Sequence, residues 1–391
     1  RGGPAKVAVV ASSIFGSING TSVGNIMSTG IVTIPLMKKA GFKAHYAAAI
    51  EAVASNGGQF APPVMGATAF LIAEFLQMNY IDVVIAAVVP AALYYICLFL
   101  QVDAIALRDG LHGLPKEELP KASKVLKKGW VFLLPLGFLL YLLFWRGFSP
   151  AVAALWAVGA LLVLTIFRNR RFLTWKEWGA LVVGGGENML PLLMIGGGAG
   201  VVIGVMNVTG LGFSLSLVLT QIGVNAGLLV MLMLTGVIAI ILGMGMPTAA
   251  IYVVLSVILA PAIVDMGVSP IAAHLFIFYF GLLSFLTPPV AIASFVAAGI
   301  AGSKIWPTSW AGVQLAAVAY ILPFLWCYNE ALLLQGSTVA NIYAVTTAFI
   351  AVLLIAKALQ IMVEKTMFSL GKSLLVFGGG LAVGSSTIWL G

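Results

Sequence analysis

Gly57-Gly58-Gln59-Phe60-Ala61-Pro62-Pro63-Val64 cuts into an apolar stretch with residues that a continuous helix rejects, and Ser284-Phe285-Leu286-Thr287-Pro288-Pro289-Val290 cuts into another in the same way. Proline lacks the backbone N–H and its ring clashes with the preceding turn, so a Pro-Pro pair stops an α-helix. Each cut follows an earlier one built of small residues. Gly16–Asn25 precedes the first, and Gly243-Met244-Gly245-Met246-Pro247-Thr248 precedes the second. The chain therefore carries two segments of one plan, a small-residue break and then a Pro-Pro-Val break.

The sequence around these breaks belongs in a membrane. Of its 391 residues 61% are hydrophobic and only 8% charged, whereas soluble domains carry about a quarter charged residues. The runs Ile81–Leu100, Trp130–Trp145, Pro150–Phe167 and Gly312–Leu333 have the character of helices crossing a hydrocarbon core of roughly 30 Å, which takes about 20 residues. They are continuously apolar instead of alternating, so a helical bundle is expected and a β-barrel is not. The net charge of +8 falls in a few inter-helix stretches and forms no basic stripe interleaved with aromatics, so nucleic acid is not an expected partner.

The basic residues set the sidedness. Lys38, Lys39 and Lys43, then Arg108, Lys116, Lys121, Lys124, Lys127 and Lys128, then Arg168, Arg170, Arg171 and Lys176 mark cytoplasmic connections by the positive-inside rule. The Arg146–Ser149 turn is then external, Ala47–Phe75 runs outward and Ile81–Leu100 returns. Lys6, Lys38 and Lys39 flank the first break, whereas Val224-Asn225 and Asp265 flank the second with no basic residue. The two hairpins are thus expected to enter from opposite sides, as in an inverted repeat.

This gives an all-α, multi-pass membrane protein with two re-entrant hairpins and two broken helices. Residues 1–100 form the first repeat, 101–129 a cytoplasmic linker around Leu114–Pro120, 130–179 scaffold helices, 180–333 the second repeat, and 334–391 extra C-terminal helices, with Thr338–Ile355 and Leu374–Leu390 as helical runs and Lys357, Lys365 and Lys372 between them. The chain opens on Arg1 with no signal peptide, and an N-terminal part is expected to precede it.

A broken membrane helix strands N–H and C=O groups at a cost of several kcal/mol each unless they line a cavity or bind something. Unwound carbonyls and helix C-termini suit Na⁺, and helix N-termini suit a carboxylate. In Ser17-Ile18-Asn19-Gly20-Thr21-Ser22, hydroxyl and amide oxygens accompany a glycine that allows close backbone approach, and a hard cation prefers oxygen donors. Glu51 either couples ions or snorkels to the cytoplasmic helix end. Glu187 suits a helix N-terminus, and Glu74 and Glu330 suit solvated outer ends. Gly196, Gly200 and Gly204, at four-residue spacing, suggest close helix packing. Cys97 and Cys327 lie in apolar runs without a metal or disulfide pattern. No cofactor is expected.

Gly20-Thr21-Ser22-Val23-Gly24 matches the G-x-S-x-G pattern of serine hydrolases, with His45 or His274 as base. That pattern needs a strand-turn-helix setting which this chain does not offer. No H-E-x-x-H or P-loop pattern occurs, which leaves metalloprotease and ATP-driven pump unsupported. No selectivity-filter pattern suggests a channel.

At the same four breaks the sequence resembles the large membrane subunit of tripartite ATP-independent periplasmic (TRAP) transporters. Gly57-Gly58-Gln59-Phe60-Ala61-Pro62-Pro63-Val64-Met65-Gly66 is similar to the TAXI branch, whose small and large membrane subunits are commonly fused. The resemblance implies an elevator-type permease of a bacterial or archaeal inner membrane. It would import an organic acid delivered by a TAXI-type periplasmic binding protein and driven by Na⁺, with H⁺ as the other possible coupling ion. The small subunit would be fused in the preceding part. Carried over, one Na⁺ lies among Ser17, Asn19, Gly20, Ser55, Gly57, Gly58 and Pro62, and another among Gly243, Gly245, Ser284, Thr287 and Pro288. Substrate lies near Thr21, Ser22, Asn56, Gln59, Thr248 and Thr287. Many members have Pro-Pro-Ser where this chain has Pro62-Pro63-Val64, and Met244 and Met246 offer no oxygen at the second tip. The competing reading is a stand-alone Na⁺/dicarboxylate symporter of similar architecture, with the serine hydrolase a distant third.

Overall fold

The computed structural model describes residues 2–111, 113, 122–362 and 375–383, and among them the regular structure is helical with no strand. Helix α1 (Gly3–Asn19) starts with Pro4, where the missing N–H would be unpaired in any case. It ends at Gly20, whose left-handed φ of 69° suits a residue without Cβ. The Gly20 N–H bonds back to Gly16 O at 2.8 Å. After Thr21 the chain reverses into α2 (Ser22–Asn25), a π-helical turn (Ile26–Gly30) and α3 (Ile31–Lys39), which completes a hairpin.

Next comes α4 (Ala44–Gly57), which tightens into a 3₁₀ turn (Gly58–Phe60) and loses helical form until α5 (Ala67–Phe75). Helix α6 (Tyr80–Arg108) follows, then α7 (Ala122–Phe144), α8 (Pro150–Asn169), α9 (Trp175–Thr209) and α10 (Leu211–Ala226). A second hairpin consists of α11 (Leu228–Gly243), a tip, and α12 (Thr248–Ile258) with α13 (Ala260–Asp265). Helix α14 (Pro270–Leu283) breaks and resumes as α15 (Ile292–Ala301), and α16 (Ile305–Leu315), α17 (Leu322–Tyr328) and α18 (Thr338–Met362) complete the order.

Among the described residues three helices, Tyr80–Arg108, Pro150–Arg168 and Thr338–Gln360, are long and apolar enough to cross a membrane. Several expectations need correction. Gly312–Leu333 is not one continuous helix, because Ile305–Leu315 and Ala317–Tyr328 meet at 68°. Pro323 opens α17 and cannot donate a helical hydrogen bond to the turn before it. Helix reaches into both ends of the expected linker, through Arg108 and from Ala122. The linker core Leu114–Pro120, with His112, Lys116 and Lys121, lies outside the described residues, as do Lys365, Lys372 and all of Leu374–Leu390 except 375–383.

Glu187 is exposed in the interior of α9. The acid at that helix's N-terminus is Glu177, in a capping box with Thr174. The Arg171 guanidinium and the Thr174 backbone and hydroxyl hold the Glu177 carboxyl down to about 2. The Gly196, Gly200 and Gly204 stripe is exposed, and a Cβ added at any of the three would meet nothing within 4 Å. It makes no close helix contact among the described residues.

The core is centred on the two broken helices. Helix α4 is buried from Ala47 to Gly57, and α14 from Ile271 to Leu283. Helix α4 packs on α1, α15 and α16, and α14 packs on α11, α12 and α17. The returning arm of each hairpin also reaches the other segment, since α3 and the π turn contact α15 while α12 contacts α5. At the base of the first hairpin Lys6 pairs with Asp103, and Lys38 Nζ donates to Ala301 O at 2.8 Å, a cation at the negative end of α15. Arg108 bonds Asp109 beside them and holds its carboxyl below the usual range. Both arms of the first hairpin thus start and finish at a basic end, as the charge pattern predicts.

Candidate functional site

The first break satisfies its own backbone. In the last turn of α4, Val53 O and Ala54 O accept from Tyr94 Oη at 2.7 Å and Tyr95 Oη at 2.8 Å. Gln59 O accepts from Gly66 N at 2.9 Å, and Val64 O from the Tyr80 hydroxyl. The second break uses local partners. Ser284 Oγ donates to Gly281 O and across to Gly243 O, at 2.6 and 3.0 Å, while Leu283 O accepts from Thr287 Oγ1 at 2.7 Å and Phe285 O from Ala293 N at 3.0 Å. Each break contains a cis Pro-Pro bond, Pro62-Pro63 and Pro288-Pro289, followed two residues on by a left-handed residue, Met65 or Ala291.

Glycines let the hairpin tip touch the break. A Cβ on Gly58 would lie 2.5 Å from Gly16 Cα, and one on Gly20 would lie 2.6 Å from Gly66 Cα. No L side chain fits there without moving backbone. At the second tip, a Cβ on Gly243 would meet Ser284 Oγ at 2.9 Å, and one on Gly245 would meet nothing within 4 Å.

Between the tips runs one hydrogen-bonded chain. Thr248 Oγ1, at the start of α12, donates to Gln59 Oε1 at 2.6 Å. Gln59 Nε2 donates to Ser22 Oγ at 2.5 Å, and Ser22 Oγ donates to Asn56 Oδ1 at 2.7 Å. Asn56 Nδ2 then donates to Leu282 O, at 3.1 Å, where α14 begins to unwind. Four of the six residues expected near substrate therefore meet, joining both tips and both breaks, and Ser22, Asn56 and Gln59 are buried. Thr21 is exposed, and Thr287 is directed elsewhere, 2.7 Å from Tyr320 Oη.

The expected cation positions are more dispersed. Ser17 donates to Ile14 O at 2.9 Å and, with Pro62, lines an open cavity of about 370 Å³ beside Tyr95. Asn19 is exposed and covers Gly24. Gly57 is pressed against the Tyr94 and Tyr95 rings. Ser55 turns away from the tip toward Glu51, 3.2 Å away.

Glu51 does not snorkel. Its exposure is 0%, and its carboxyl is surrounded by the hydroxyls of Ser12, Thr29 and Thr33 at 2.7, 2.6 and 2.5 Å. Ser12, Thr29 and Thr33 are the residues that sequence reasoning misses, although Thr29 and Thr33 stand four apart on one helical face. Ser22, the nucleophile of the hydrolase reading, bonds to two amides and to no histidine. His274 bonds to Tyr252.

The chain is similar to an uncharacterized protein, y4mL, of Sinorhizobium fredii, with 28% identity over 51% of this chain and 48% of that protein. It is 23% identical to the C4-dicarboxylate TRAP transporter large permease protein DctM of Pseudomonas aeruginosa, over 79% of this chain and 71% of that one. It is 22% identical to the isethionate TRAP transporter permease protein DctMQ of Oleidesulfovibrio alaskensis, over 83% of this chain and 50% of that one. The matches thus span about half the length of two of these relatives. A sequence model of the DctM component of tripartite ATP-independent periplasmic transporters matches residues 1–364, and with both tips and both breaks inside that match, the chain belongs to this family of multi-pass membrane proteins.

Proposed function

We propose that the chain is the permease of a secondary transporter in a bacterial or archaeal inner membrane. It imports an organic acid, handed over by a periplasmic binding protein, together with a cation. The observation that carries this reading is the Thr248–Gln59–Ser22–Asn56 chain, which ties two hairpin tips to two broken helices in the core. Hydroxyl and amide groups at paired helix breaks are suited to trade their mutual bonds for those of an anionic ligand. Family members named for C4-dicarboxylate and isethionate are consistent with a small organic anion.

In this proposal the two segments are inverted repeats that move as one transport domain between scaffold helices, in the elevator manner. Na⁺ is held near the first tip by oxygens of Ser17, Asn19, Gly20, Gly57, Gly58 and Pro62. A second Na⁺ is held by Gly243, Gly245, Ser284, Thr287 and Pro288. The TAXI-like Gly-Gly-Gln motif makes a TAXI-type binding protein and a fused small subunit the proposed partners.

The test is uptake of labelled dicarboxylates and isethionate into proteoliposomes of the intact transporter, with and without a Na⁺ gradient and the binding protein. Uptake that needs both bears the proposal out. Uptake with Na⁺ alone identifies a stand-alone symporter, and absence of uptake under any gradient overturns the transport reading.

A further inference from the structure

The geometry points to a proton-binding site at Glu51, buried where the first hairpin packs on its broken helix. Four elements supply its surroundings. Ser12 comes from α1, Thr29 from the π turn, Thr33 from α3 and Ser55 from α4 itself, and all four hydroxyls lie within hydrogen-bond distance of the carboxyl. A π turn shifts helical register by one residue and recurs at functional sites. Here it carries Thr29 and leads into α3, so that Thr29 and Thr33 both reach Glu51.

A buried carboxylate without a cationic partner costs several kcal/mol, and Glu51 forms no ion pair with any described lysine, arginine or histidine. Of the groups on elements packed against it, Lys6 of α1 is taken by Asp103 of α6. Lys38 of α3 is taken by Ala301 O, and Lys39 is exposed at the same helix end. Helix α6 further carries Tyr94 and Tyr95, whose hydroxyls are committed to Val53 O and Ala54 O, as well as Asp82, Cys97 and Arg108. His45 and Tyr46 stand at the start of α4. Helices α2, α15 and α16 and the π turn contribute no titratable side chain.

The hydrogen-bond inventory closes in both charge states. As carboxylate, Glu51 accepts from Ser12, Thr29 and Ser55 on Oε1 and from Thr33 on Oε2. When Oε2 takes a proton from hydronium and leaves water behind, the new O–H donates to Thr33 Oγ1. The Thr33 hydroxyl then turns to Thr29 O, 3.1 Å away. Thr29 likewise has Asn25 O and Asn25 Oδ1 as alternative acceptors, at 2.9 and 3.0 Å. No hydroxyl proton is orphaned in either state, so neither incurs the cost of an unmade buried bond. Thr29 is half-exposed and gives the buried carboxyl a hydroxyl link to the surface. Buried carboxyl groups of this kind serve proton relays in transporters.

The coupling role rests on the transport reading, whereas proton binding is testable without it. In the purified intact transporter, infrared difference spectra between high and low pH should show the C=O stretch of a protonated carboxylic acid. That band should vanish in Glu51→Gln and shift in frequency and pH midpoint in Thr33→Val, with size-exclusion profiles confirming the fold. A band unchanged in both variants overturns the site, and Thr33→Val alone decides if Glu51→Gln does not fold. In proteoliposomes with an internal pH dye, substrate entry should carry in one proton fewer in Glu51→Gln, while substrate exchange at equal pH persists. An unchanged proton-to-substrate ratio overturns the coupling role. If no organic acid crosses at all, the transport reading fails and the infrared result still decides the proton site.

Discussion

The two hairpin-and-break segments share a backbone plan but not a chemistry. Around the first, Ser12, Ser22, Thr29, Thr33, Glu51, Ser55, Asn56 and Gln59 form two buried side-chain networks. Around the second, Ser284 and Thr287 satisfy nearby carbonyls, and the neighbourhood is filled by rings such as Phe276, Phe280 and Phe324. Where Gln59 stands three residues before the first Pro-Pro pair, Phe285 stands three before the second. One segment carries the buried polar groups and the other an apolar surround, with Thr248 as its contribution to the shared chain.

The comparison breaks most easily at the glycines. Gly58→Val should abolish folded, monodisperse protein, because its Cβ would lie 2.5 Å from the backbone of Gly16 and overpacking against backbone costs about 3 kcal/mol or more. Gly243→Ala meets the Ser284 side chain, whose hydroxyl can turn, and Gly281 O at 3.2 Å, a milder contact than that at Gly58, and should retain a folded peak in detergent. Equal loss in the two would mean that the second tip is as tightly built as the first.

Gly20 and Gly245 both have left-handed φ, 69° and 83°, so alanine at either should cost about 1–2 kcal/mol from conformation alone. Only Gly20→Ala also collides with Gly66. Thermal melting should therefore show the larger drop for Gly20→Ala, and the opposite order would contradict the contact between first tip and break.

Gln59→Leu cuts the bond between the tips, and uptake should fall about tenfold or more, a difference of about 1.4 kcal/mol, with the fold intact. Thr248→Val removes one donor and should do less. Gly200→Ala, with nothing near its Cβ, should change stability by no more than about 0.5 kcal/mol.

The smallest effect is expected in the turn between α8 and α9. Because Glu177 is held down to about 2, its contribution is complete above the ordinary carboxylate range and is lost only as pH falls through the folded value. Helix content should be the same at pH 7 and 5 and unaffected over that interval by Glu177→Gln; a dependence there would remove the Arg171 pairing as its cause.

The sequence by itself determined the membrane class, the order of the four breaks and the basic end of the first hairpin. These follow from apolar run length, from Pro and Gly geometry and from charge placement, which are local properties. The Thr174–Glu177 capping box is equally legible as T-x-x-E, whereas Glu187 falls in the interior of α9. Only the tertiary structure decided the rest. The bend at Ala316 divides what the sequence presents as one run, and no neighbour lies within 4 Å of a Cβ added to the glycine stripe on α9. Gln59 finds Thr248 and Leu282 meets Asn56 across the two segments, while Ser12, Thr29 and Thr33 close on Glu51 from three different elements. A hydroxyl among apolar residues gives no sign of which way it points. That direction is set when helices pack and each buried polar group must find a partner from elsewhere in the chain.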